Sequence, residues 1–165
     1  MVILGIDPGT RFAGFGIMQK EKQKVFLLDY GCLVMSPTKS LPERVEIFHN
    51  FFAEKIEKYC VTDLALETPF LGKSAGNFLK LGYMRGILYL LASKNKLILH
   101  EFSPREIKLT VTGFGGASKE QVASVVLRML PGILGVQKDD VTDALAISLC
   151  GLWQSKFSRL TLDAK

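Results

Sequence analysis

Val2 to Ile6 is an unbroken apolar run halted by Asp7-Pro8-Gly9, which predicts a buried strand stopped by a turn, since Asp and Gly suit tight turns and Pro cannot donate to a ladder. Ala13 to Gln19 and Val25 to Val34 are also strand-like and flank the polar tip Lys20-Glu21-Lys22-Gln23-Lys24. The first part of the chain therefore reads as a three-stranded antiparallel meander with its tip lysines in solvent. Val61 to Glu67 and Leu97 to Phe102 add two short strands.

Helical periodicity fills the intervals. Ser40-Leu41-Pro42-Glu43 joins a Ser N-cap, Pro in the first turn and Glu three residues on, a capping box. Val45, Phe48, Phe52, Ile56 and Tyr59 then recur at three- and four-residue steps, so one stripe is buried. Ser74 to Ala92 is a second helix, with Gly82 and Gly86 one turn apart; these glycines suit either a partner helix or close packing on the chain's own sheet. Ser103-Pro104-Arg105-Glu106 and Ser118-Lys119-Glu120-Gln121 open two more helices on either side of a Gly113 to Gly116 loop, and Pro131-Gly132 ends the second. Asp140 to Gln154 forms the last helix, leaving 156–165 as a short basic tail after a single domain over 1–155. The order describes an α/β fold: a mixed five-stranded sheet flanked by helices.

Composition narrows the partners. The 165 residues carry 21 Lys+Arg against 16 Asp+Glu, a net charge of +5 that favours anionic partners such as nucleic acid. A mean hydropathy of +0.22 is apolar for a small domain and predicts self-association. Cys32, Cys60 and Cys150 lack metal-ligand spacing and are odd in number, so a reduced, cytoplasmic setting is expected, and no apolar run reaches the ~18 residues of a membrane span.

Four carboxylates stand where carboxylates are costly. Asp7 and Glu67 each end an apolar strand, and Asp140 and Asp143 lie three apart on a helix that continues Ala144-Leu145-Ala146-Ile147. Each alone reads as a turn former, an ion-pair partner or a helix cap. Acids converging from three segments would instead repel, and a divalent cation relieves that repulsion; hard oxygen donors select Mg²⁺ or Mn²⁺. Asp139 competes with Asp140 for the same helix position.

Other motifs fail. Gly72-Lys73-Ser74 resembles the end of a phosphate-binding P-loop, but the required first glycine would fall at Glu67. Gly113-Phe114-Gly115-Gly116 is not a dinucleotide loop; beside Lys119 it reads equally as a phosphate contact and as a connector. His49 and His100 are isolated, and no nucleophile elbow is present.

Ile6-Asp7-Pro8-Gly9-Thr10, Leu66-Glu67, the segment from Leu79 to Gly86, Pro104-Arg105-Glu106-Ile107-Lys108 and Asp140-Val141-Thr142-Asp143-Ala144-Leu145-Ala146 together resemble the RuvC-type Holliday-junction resolvases. The resemblance runs from about Val2 to Leu152, and the order and spacing of the segments are specific. It implies an RNase H-like fold, a homodimer, and cleavage of four-way junction DNA in recombination and repair. The implied chemistry is paired symmetric nicks leaving 5′-phosphate and 3′-hydroxyl, with Mg²⁺, for which Mn²⁺ substitutes, at two ions per site. Matching positions give Asp7, Glu67, Asp140 and Asp143 as catalytic metal ligands, the family spacing favouring Asp140 over Asp139, and Lys108, Lys119, Arg85 and Phe70 as DNA contacts. Thr68-Pro69 replaces the usual glutamine and non-proline residue before Phe70, which stiffens that loop. By family analogy the chain would work with the RuvA and RuvB branch-migration proteins. Asp7-Pro8-Gly9-Thr10 also resembles the first phosphate motif of actin- and Hsp70-like ATPases, which need a second lobe that 165 residues cannot supply.

Overall fold

The structure is a computed structural model and describes residues 1–69, 75–133 and 139–162. Strands β1 (Val2–Asp7), β2 (Phe12–Glu21) and β3 (Lys24–Val34) form the expected antiparallel meander. Strands β4 (Asp63–Glu67) and β5 (Ile98–Phe102) add in parallel on the other side of β1, giving one sheet in the order β3-β2-β1-β4-β5. A parallel strand covered on both faces need not alternate. Hence Ile3, Leu4, Ile6, Leu64, Ala65 and Leu66 are all buried, and their runs are uninterrupted in sequence.

Five helices cover the sheet: α1 (Leu41–Lys58), α2 (Ala75–Lys94), α3 (Pro104–Thr112), α4 (Lys119–Met129) and α5 (Asp139–Leu162). The capping boxes of Ser40 with Glu43, Ser103 with Glu106 and Ser118 with Gln121 are all formed. Two expectations are corrected. α5 continues past Gln154 to Leu162, so part of the segment read as a tail is helical; its polar residues broke the apolar periodicity without breaking the helix. Lys20 is not a solvated tip residue, because its ammonium donates to the Leu152 carbonyl of α5 at 2.8 Å.

The two sheet faces have different cores. Against α1 and α2, Leu4, Ile6, Phe15, Ile17, Leu64 and Leu66 meet Phe48, Phe52, Met84 and Leu88. Phe15, Phe48, Phe51 and Phe52 stack edge to face there, with centroids 4.7 to 6.2 Å apart. The opposite face carries α5 directly on the sheet, flanked by α3 and α4, with Ile3, Ala65, Phe102, Ile107, Val122 and Leu145 inside.

Small residues let α5 approach closely. Gly5 pairs with Gly16 and Asp7 with Gly14 across β1 and β2. A Cβ at Gly14 would lie 1.8 Å from the Asp140 carbonyl oxygen, and one at Gly5 would lie 2.2 Å from Ser148 Oγ. The buried Ser148 hydroxyl sits 2.9 Å from the carbonyl oxygens of both Gly16 and Ala144, so it has acceptors in the sheet and in its own helix. Gly82 and Gly86, by contrast, do not press on the sheet: among the described residues nothing lies within 4 Å of a Cβ at either. The three cysteines are free, and no described helix is long and apolar enough to cross a membrane.

Candidate active site

Asp7 ends β1 and Glu67 ends β4, and these strands are hydrogen-bonded neighbours running the same way, with Ile6 opposite Leu66. The two acids therefore emerge side by side. The two-residue period of a strand puts Asp7 on the face of Ile3 and Gly5, and Glu67 on the face of Ala65, which is the face beneath α5. The glycine seam then brings the start of α5 down onto that edge.

Asp7, Glu67 and Asp143 line one cleft of about 240 Å³ together with Lys108 from α3 and Lys119 from α4. Ile107, Val122, Ala146 and Ile147 make its apolar wall. Asp140 adjoins Asp7 rather than the cleft lining. Its negative charge acts on Asp7, whereas the exposed Asp139 acts on Lys119 and lines an outer groove with Glu120 and Ser124. Lys119 Nζ donates to Asp143 Oδ2 at 2.9 Å, and that bond pushes the lysine pKa up.

The electrostatics show uncompensated negative charge. Burial, and then the charges of Asp143, Glu67 and Asp140, raise the Asp7 carboxyl from 3.8 to about 7, against a smaller opposing pull from Lys119. Glu67 is raised by burial and Asp143, with Lys119, Lys108 and Arg85 pulling the other way. A divalent cation fits this donor set: all the donors are hard oxygens, and a cation would remove the repulsion that now holds protons on. Among the described residues no three acid, His or Cys side chains close into a ready ligand cage. An open arrangement of separated carboxylates suits an ion that keeps water and substrate oxygens in its shell.

The remaining expected contacts fare differently. Arg85 is 5% exposed, with its guanidinium bonded to the Glu67 carbonyl and the Glu101 carboxylate, and it borders a second groove with Asp7, Glu67, Thr68 and Pro69. Phe70 lies outside the described residues. In the Gly113 to Gly116 loop two N–H donors are used internally, Gly113 N to the Leu109 carbonyl at 2.8 Å and Phe114 N to Thr112 Oγ1 at 3.1 Å. Sequence reasoning missed the glycine seam and the partners of Arg85, which are Tyr89 and Glu101. The signal for the seam was present as Gly14 and Gly16 at alternate strand positions, with Ala144 and Ser148 four apart on the last helix.

A mixed five-stranded sheet with acids at the ends of its adjoining parallel strands, completed by acids from the helix lying on that face, is the architecture of an RNase H-like nuclease. The model of the family described as crossover junction endodeoxyribonuclease RuvC matches residues 3–151, and the chain belongs to that family. Similar curated relatives of that name include one from Pelodictyon phaeoclathratiforme, 43% identical over 152 residues, covering 92% of this chain and 80% of the relative. Another, from Legionella pneumophila, is 36% identical over 149 residues, covering 90% and 85%. Among solved structures, T. thermophilus RuvC in complex with a Holliday junction substrate superposes with a TM-score of 0.88 at 28% identity over 96% of each chain. The yeast mitochondrial resolvase Ydc2 shares the fold, with a TM-score of 0.68 at 17% identity, over 95% of this chain and 80% of that one.

Proposed function

We propose that this chain is a structure-selective endodeoxyribonuclease that resolves four-way DNA junctions by paired, symmetric, metal-dependent nicks. The observation that carries the reading is the meeting of Asp7, Glu67 and Asp143, with Asp140 beside them, at one cleft rimmed by Lys108 and Lys119. The RuvC family match and the likeness to a RuvC solved with a Holliday junction support four-way DNA as the substrate.

Asp7, Glu67, Asp140 and Asp143 would hold the cations, Mg²⁺ by the hardness of the donors. When bound, such a pair supplies an activated water and neutralises charge on the scissile phosphate and the departing 3′-oxygen. The chain's own contribution is placement. The two strand ends fix Asp7 and Glu67, Ile107, Val122 and Ile147 form an apolar wall on one side of the cleft, and Lys119 restrains Asp143 while offering its remaining N–H donors to phosphate. Lys108 adds positive charge on the Glu67 side. Protein reaction groups other than these are not required, because phosphodiester hydrolysis depends on positioning and charge neutralisation more than on a covalent nucleophile.

Symmetric nicking of two strands calls for two sites related by a two-fold axis. The outer side of α2 supports a homodimer: Leu79, Tyr83 and Leu90 are exposed, 57%, 46% and 44%, beside Gly82 and Gly86, whose flanks are open among the described residues. Positions 79, 83, 86 and 90 fall on one helical stripe, a pattern suited to a second helix.

The test is a labelled four-way junction, a linear duplex and an RNA hairpin, each incubated with and without Mg²⁺. Wild-type protein cuts the junction alone and only with the metal. Asp7→Asn lowers the rate by at least about a hundredfold while junction binding persists, because phosphate contacts supply most of the affinity. Cleavage by D7N at the wild-type rate would remove Asp7 from the mechanism.

A further inference from the structure

Arg85 is the one buried basic residue among the described residues, and it sits on α2, which packs on the sheet face opposite α5, at the edge of a groove that it shares with Asp7 and Glu67. A guanidinium out of water is costly unless its fork of donors is matched. Here it is matched by three groups from three elements. Nη1 donates to the main-chain carbonyl of Glu67 at 2.5 Å. Nη2 donates to the Glu101 carboxylate of β5 and, at 3.0 Å, to the Tyr89 hydroxyl, which itself donates to Glu101 Oε1 at 2.8 Å. The Tyr89 ring also lies against the guanidinium, 5.6 Å to its centroid.

The carbonyl that Arg85 holds belongs to the peptide unit leaving Glu67. The other polar end of that unit, the N–H of Thr68, donates to the Phe102 carbonyl at 2.8 Å. The peptide is thus clamped at both ends, beyond the last residue of β4, where a sheet ladder ordinarily frays. Clamping it fixes the backbone torsion that aims the Glu67 side chain. Pro69 follows one residue later, so the restraint falls immediately before the chain leaves the sheet.

We infer that Arg85, locked by Glu101 and Tyr89, is a positioning residue that sets the direction of the Glu67 carboxylate from the α2 side of the sheet, and is not a DNA contact. The inference rests on the reading of Glu67 as a cation ligand. Groups that orient a ligand from outside the coordination shell change metal affinity or activity by about 10- to 100-fold when removed. A lysine at this position keeps the charge but cannot bridge a carbonyl, a hydroxyl and a carboxylate together.

The experiment measures Mn²⁺ binding to the DNA-free protein by the EPR signal of the free ion, together with the cleavage rate at saturating junction and junction affinity in chelator. Arg85→Ala and Arg85→Lys should both weaken Mn²⁺ binding and slow saturated cleavage by about tenfold or more, with junction affinity within about twofold of wild type. If both variants fail to fold, Tyr89→Phe, which removes one link, should show a loss of about two- to fivefold in the same two readouts. Weaker junction binding with an unchanged saturated rate would make Arg85 a DNA contact. A lower melting temperature with Mn²⁺ binding and saturated rate unchanged would reduce it to a structural ion pair. Glu67→Gln is the control: if E67Q binds Mn²⁺ as wild type does, the role given to Glu67 fails, whereas loss in E67Q but not in R85A, R85K or Y89F overturns the positioning role alone.

Discussion

The two faces of the sheet solve different packing problems with the same strands. Toward α1 and α2 the strands present Phe15, Ile17 and Leu66, and the helices answer with Phe48 and Phe52. Toward α5 they present Gly5, Gly14 and Gly16, and the helix answers with Ala144 and Ser148. The first face gains burial from volume. The second gives up volume so that a helix carrying Asp140 and Asp143 can rest against the strand that carries Asp7. Both faces bury an extensive apolar core, but registration of the acids falls to the glycine face.

That division can be broken most severely at Gly14. A methyl group there has no space beside the Asp140 carbonyl, a backbone atom that cannot swing away. Gly14→Ala should displace the start of α5, cost about 3 kcal/mol or more and slow junction cleavage at least about a hundredfold even where the protein is folded, as read by denaturant melts and saturated rates. Phe52→Ala should cost a similar or larger amount, about 3–5 kcal/mol, yet leave the saturated rate of the folded protein within about threefold of wild type. If F52A slows the folded enzyme as much as G14A, the faces are not separate in function.

A smaller effect tests the acid cluster itself. Asp7 titrates near 3.8 in the unfolded chain and at about 7 in the folded one. Between those values the native protein holds a proton that the unfolded chain has released, so this contribution to stability is complete below about pH 4 and is lost as pH rises through 7. In chelator, Asp7→Asn should therefore be more stable than wild type by on the order of 2 kcal/mol at about pH 8 and nearly equal to it at about pH 4. Thermal melts at the two pH values check the sign; destabilisation by D7N at the higher pH would contradict it.

The smallest effect belongs to the outer side of α2. Gly82→Ala meets open space among the described residues and improves helix propensity, so the monomer should gain about 0.5–1 kcal/mol. Sedimentation of the variant then reports separately on the proposed dimer, since a methyl group between two close helices weakens association where a free surface would ignore it.

Most of the fold was legible because strands and helices differ in apolar period, and three capping boxes marked helix starts to the residue. The acids were legible for a related reason: Asp7 and Glu67 interrupt apolar runs, and an expensive residue attracts notice. What escaped is what sequence codes ambiguously. Gly5, Gly14 and Gly16 carry no side chain to pattern, so beyond the alternation of Gly14 and Gly16 their shared seam takes shape only when β1 and β2 are paired. Arg85 has the residue type of a phosphate contact, and only its burial shows that it faces a carbonyl, a tyrosine and a glutamate. The tail beyond Gln154 looked unlike an amphipathic helix, yet continued backbone hydrogen bonding carries α5 to Leu162.

The pairing of β1 with β4 has one more consequence. Neighbouring strands in any sheet lie about 4.8 Å apart, a spacing set by peptide hydrogen bonds and indifferent to side chains. Because Asp7 and Glu67 terminate two such neighbours, the sheet acts as a ruler for half of the site, and mutation around it leaves that interval unchanged. The other half, Asp140 and Asp143, is measured against the ruler by a helix that can slide. Drift in this enzyme would enter through α5, and the glycines beneath it are what keep the moving jaw of the calliper in place.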